Sequence, residues 1–153
     1  MRSFMMVGHN HVSFAAACVA TLVLACGGEQ SAEGAQTEES GPPTATIVRP
    51  ADGATLAGPD VGVEMAVHGI SLARAGVDSA NTGHLHLFIN RDLTPEGEVI
   101  PVGDGIVHFG LAQSEHVFEG LEPGEYVVIV VLGDHMHVRI PGSRTDTVRI
   151  TVR

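Results

Sequence analysis

Two short histidine pairs carry the chemistry that this sequence offers. His84 and His86 lie in Thr82-Gly-His-Leu-His-Leu-Phe-Ile-Asn90, and His135 and His137 lie in Gly133-Asp-His-Met-His-Val138. On an extended chain, residues two apart point the same way and stand roughly 6.5–7 Å apart, from a rise of about 3.3 Å each. Two imidazoles at that separation can converge on one ion, with nitrogen–zinc distances of about 2.0–2.1 Å. Imidazole donors without thiolate suit copper(II), zinc or nickel. His108, in Gly105-Ile-Val-His-Phe-Gly110, and His116 are further donors, while Asp134 and Glu115 could each accept a ring N–H and so orient a ligand. The Met136 thioether could serve copper(I), although alternation along an extended chain points it away from His135 and His137. The competing reading is structural. A lone strand histidine is more often a hydrogen-bonded or surface residue than a ligand, and His84, His86 and Asp134 could form a buried network that braces loops.

Any shared site depends on the strands that carry these residues. Thr82 to Asn90 alternates, with Leu85, Leu87 and Ile89 on one face and the two histidines on the other. Val61 to Val67 alternates in the same way, with Glu64 opposite Val61, Val63, Met65 and Val67. Tyr126-Val-Val-Ile-Val-Val-Leu132 is apolar on both faces, so it needs cover on both sides or a central place in its sheet. Thr44 to Arg49, short pieces around Val99 to Val102 and Ile106 to Phe109, Glu115 to Phe118 and Thr147 to Arg153 complete the set, broken by Gly- and Pro-rich turns. Gly69 to Gly83 has room for one helical turn. The pattern predicts an all-β fold, an immunoglobulin-like antiparallel β-sandwich of seven or eight strands; an up-and-down barrel is the alternative. In such a sandwich His84 to Asn90 and Tyr126 to Leu132 are antiparallel neighbours. The start of the first then lies beside the end of the second, which brings His84 and His86 to the same end as His135 and His137.

The chain ends bound the setting. Residues 1–25 combine Arg2 with an apolar run from Val12 to Ala25 that is too short to cross a bilayer of roughly 30 Å comfortably. The run ends Leu-Val-Leu-Ala-Cys26, a pattern that resembles a bacterial lipoprotein signal with Cys26 as the lipidated residue. Residues 26–43 carry glutamates, no basic residue and no large apolar side chain, as expected of a disordered acidic tether. That leaves 44–153 as one folded domain without thiol or disulfide. The expected setting is the cell envelope, with the chain anchored by its lipid in the outer membrane, on the periplasmic side or the surface. Gly27 lacks the aspartate that retains many lipoproteins at the inner membrane. With 18 acids against 8 arginines, no lysine and a net charge of −10, no nucleic-acid partner is expected.

The order Thr82-Gly-His-x-His-Leu87, His108-Phe-Gly-x-x-Gln-Ser-Glu115, Leu121-x-Pro-Gly124 and Val131-Leu-Gly-Asp-x-x-His137 resembles the DUF4399 family, a bacterial envelope domain of unknown function. The resemblance runs from about Ile47 to the C-terminus. It implies His84, His86, His108, Gln113, Glu115, Asp134 and His137 as family positions. Leu85 replaces the middle histidine of the family's triplet, Leu111-Ala112 its basic-glycine pair, and Arg139-Ile140 its terminal Pro-His. His135 and His116 are not family positions.

The sequence therefore predicts a lipid-anchored envelope protein that binds a transition metal, copper or zinc, through His84, His86, His108 and His137, with His135, Asp134 and Glu115 as weaker members. The alternative is a scaffold module for another envelope protein. An enzyme is not expected: Gly-His-x-His faintly resembles the copper ligands of Cu/Zn superoxide dismutase, but that enzyme's other ligand motifs and its disulfide are absent. Neither G-x-S-x-G nor H-E-x-x-H occurs.

Overall fold

A computed structural model of the chain describes residues 41–153. The signal segment, Cys26 and most of the acidic tether lie outside the described residues. Nine strands follow in order: β1 (Thr44–Arg49), β2 (Thr55–Leu56), β3 (Val61–His68), β4 (Ser71–Leu72), β5 (Thr82–Ile89), β6 (Ile106–His108), β7 (Glu115–Phe118), β8 (Gly124–Gly133) and β9 (Asp146–Val152). They form two sheets. One has the order β1-β3-β7; the other runs β2-β9-β8-β5-β4, with β6 also on β5. Apart from the two-residue parallel pairings of β2 with β9 and β4 with β5, all pairings are antiparallel.

The period-two patterns face the sheets together as expected. Ala45, Ile47, Val61, Val63, Met65 and Phe118 from the small sheet meet Leu85, Leu87, Val128, Val130, Leu132, Val148, Ile150 and Val152 from the large one in a single core. A Val or Leu buried this fully contributes about 1.5–3 kcal/mol each. The two additional strands, β2 and β4, are two residues long, too short for alternation to signal them. Over Gly69–Gly83 there is no helical turn. Ser71 and Ala73 instead donate to the carbonyls of Asn81 and Gly83, and Gly76 and Asn81 take positive φ, which breaks any helical path.

The doubly apolar β8 is central, between β9 and β5, and it is covered on both faces. Its outward residues Ile129 and Val131 pack with Phe88, Leu93, Ile100 and Ile106 in a second, smaller cluster. The chain between β5 and β6 lies over this outer face and is laced to the loop after β8. Ile100 N–H donates to the His137 carbonyl, Arg139 N–H to the Glu98 carbonyl and Gly97 N–H to the Arg139 carbonyl, at 2.8–2.9 Å. Arg139, buried, also donates from Nη1 to the Thr94 carbonyl at 2.7 Å. The outward face of β5 is therefore interior as well.

Candidate metal centre

That outer cover explains why imidazoles stand where a solvent-facing strand would carry Thr or Lys. His84 and His86 share the outward face of β5 and are 1% and 2% exposed. In register, His84 stands opposite Gly133 of β8, and His86 opposite Val131 of β8 and His108 of β6. His137 arrives from the loop after β8. Its tight turn is set by Asp134, whose Oδ1 accepts the N–H groups of Met136 (2.8 Å) and Val138 (2.9 Å), while the Asp134 carbonyl accepts from His137. Aspartate commonly folds a chain back on itself in this way. The turn places His137 at φ 66°, a left-handed conformation that a residue bearing a Cβ adopts only at some cost.

Four rings converge. The centroids of His84, His86, His108 and His137 lie 4.7–5.8 Å apart in every pairing. Nε2 of His86 is 3.0 Å from Nε2 of His84, and Nε2 of His137 is 3.1 Å from Nε2 of His108. One nitrogen from each of His84, His108 and His137 falls within 4.8 Å of the other two. Two imidazole nitrogens about 2.05 Å from one ion stand about 2.9 Å apart at a right angle and about 3.3 Å apart at a tetrahedral angle. The His84–His86 and His108–His137 pairs match that span, and His84, His108 and His137 form a group that could hold a metal ion. His86 Nδ1 is buried and has no hydrogen-bond partner among the described residues.

Two glycines shape the rings' seat. A Cβ at Gly133 would stand 3.0 Å from His86 Nε2, and one at Gly110 would stand 2.5 Å from His108 Cε1. Both backbones approach the rings where a side chain would displace them.

The electrostatics favour neutral imidazole, the ligand form. Burial, followed by the neighbouring His137 and His108, lowers the His84 pKa to about 4, with Asp134 pulling the other way. Burial, then His84, His108 and His137, takes His86 to about 3. His108 is lowered too, by burial and then by His137. Like charges this close disfavour protonation of His84, His86 and His108.

Of the other residues that the sequence singles out, His135, Glu115, His116 and Gln113 lie away from the four rings. His135 turns to the loop before β5, with Nδ1 3.7 Å from Asp78 Oδ1, and its carbonyl accepts from Gly76 N–H. Asp134 shapes the turn rather than reaching a ring through a hydrogen bond. Glu115 pairs with Glu64 in the small sheet, and His116 packs edge-on to Phe109 and Phe118. Gln113 accepts the Leu111 N–H. Met136 departs from the expected alternation. Because 134–137 is a turn, Met136 lines a cavity of about 230 Å³ together with His86, His108 and His137. The Gly-Asp pair at 133–134, a turn signal, is the sequence feature that could have revealed this.

No curated protein matches this chain. Among solved structures, it is similar to the fibronectin(III)-like modules of Clostridium thermocellum CbhA, at 15% identity and TM-score 0.42 over 71% of this chain and 95% of that one. It is also similar to a human PKD domain, at 17% identity and TM-score 0.38 over 78% of this chain and 89% of that one. A third is a Pyrococcus furiosus CARDB domain solved in complex with di-metal ions, at 16% identity and TM-score 0.37 over 76% of this chain and 96% of that one. Residues 63–153, which hold all four converging histidines, match the sequence profile of a domain of unknown function, and the chain belongs to that family, DUF4399.

Proposed function

We propose that this protein is a lipid-anchored envelope protein that binds a transition metal ion, copper or zinc, at His84, His108 and His137, with His86 as a fourth nitrogen donor beside His84. The role is binding rather than catalysis. The carrying observation is the convergence of ring nitrogens from two strands and a loop, two pairs of them at spacings that a single ion would span. The depressed pKa values of His84 and His86 support it, since a metal competes with protons for these nitrogens. Lipid attachment at Cys26 rests on the sequence pattern before it.

Elemental analysis of the purified protein is expected to return about one equivalent of copper or zinc. In the H84A/H137A variant, affinity should fall by more than the roughly 10–100-fold typical of losing an outer-shell partner. Stoichiometric metal retained by that variant would overturn the reading.

A second reading is favoured by the same contacts. The His84–His86 and His108–His137 pairs are close enough to share hydrogen bonds without an ion, and would then brace the loops of a module that docks to another envelope protein. A ligand present at 100 times its Kd stabilises the native state by about 2.7 kcal/mol. A melting temperature indifferent to added zinc, added copper and chelator would select the brace.

A further inference from the structure

The cavity beside the histidines extends the metal-site reading and rests on it. It holds about 230 Å³ and meets His86, His108 and His137 on one side. The remaining wall is apolar, from Ile100, Pro101, Val102 and Ile106, together with the Met136 side chain. Met136 is 63% exposed, and its backbone N–H donates to the Asp134 carboxylate, which anchors the residue at the cavity while the side chain keeps solvent contact.

We propose that the centre takes copper as copper(I), with the Met136 thioether as a soft ligand alongside His108 and His137. Three features select this ion over a dication. The donor group contains only imidazoles, with no carboxylate to offset a second positive charge. Asp134, the nearest carboxylate in the turn, spends its Oδ1 on two backbone N–H groups. Moving an ion from water into a weakly polar site costs energy in proportion to the square of its charge, so a dication pays about fourfold more than a monocation of equal size. A thioether adds nothing for zinc, which takes thiolate, imidazole and carboxylate, but it is a favoured donor for copper(I). The apolar wall suits a low-charge complex for the same reason.

The test uses the full-length chain purified in detergent under anaerobic conditions. Copper(I) is supplied as its bicinchoninate complex, and zinc is followed against a colorimetric chelator. M136L is expected to weaken copper(I) binding about tenfold or more while changing zinc binding less than about twofold. X-ray absorption at the copper edge should show a sulfur neighbour in the wild-type chain and none in M136L. Equal losses for both metals would make Met136 a loop-shaping residue and overturn the proposal. Unchanged copper(I) binding in M136L, or a copper shell without sulfur, would overturn it too while leaving the metal site standing. A wild-type chain that takes up neither metal would remove both readings at once.

Discussion

His86 combines near-complete enclosure with an unpartnered ring nitrogen, and its behaviour in acid follows from that. Its folded pKa of about 3 and that of His84, about 4, both lie below the ordinary value of 6.5. Below pH 6.5 the unfolded chain takes up protons that the folded chain refuses, so stability is full above that value and drains away as pH falls toward 4. Burial lowers His108 and His116 in the same direction. In metal-free protein the loss between pH 7 and pH 5 should be on the order of 2–4 kcal/mol, read from the urea midpoint. A midpoint flat over that range would refute the burial of these two rings. The identity of the pair was legible in the sequence because strand alternation placed both imidazoles on one face. Their burial was not, because it depends on a distant loop folding over that face.

At the level of elements, β6 brings His108 to His86 by strand pairing, and the chain just beyond β6 sets its angle. Gly110 packs so closely on the ring that a methyl group there would stand 2.5 Å from Cε1. The ring can swing aside, so G110A should leave the melting temperature within a few degrees of wild type while lowering metal affinity about tenfold or more. Unaltered affinity, measured by competition with a chelator, would show that the ring's orientation is immaterial. The longer strands were legible because their apolar faces repeat every second residue. Alternation does not reveal the 134–138 turn, because it reads His135 and His137 as a pair on an extended chain. Asp134 folds that chain over, which parts the two histidines, sending His137 to the centre and His135 toward Asp78. The histidine at 135 thus illustrates how an i,i+2 pair loses its meaning where a turn begins.

For the whole molecule, the net charge of −10 gives a field that gathers cations near a cluster built from imidazoles alone. The proposed lipid at Cys26 would hold that field beside a membrane. In a Triton X-114 phase separation of the expressed full-length chain, the wild type should enter the detergent phase and C26S the aqueous phase. Equal partitioning of the two would remove Cys26 as the anchor. The sandwich class was legible from turn spacing and strand count, whereas the second cluster on the outer face was visible only as an unexplained demand for cover by β8.

Phe88, Ile100 and Val131 form a small seal of their own, separated from the main core by the thickness of one sheet. The chain between β5 and β6, pinned by Arg139, thus covers an interior that shares only that sheet with the sandwich core. Were the proposed ion bound beneath that segment, its release would require local opening rather than global unfolding, and retention of the ion would be set separately from the lifetime of the fold.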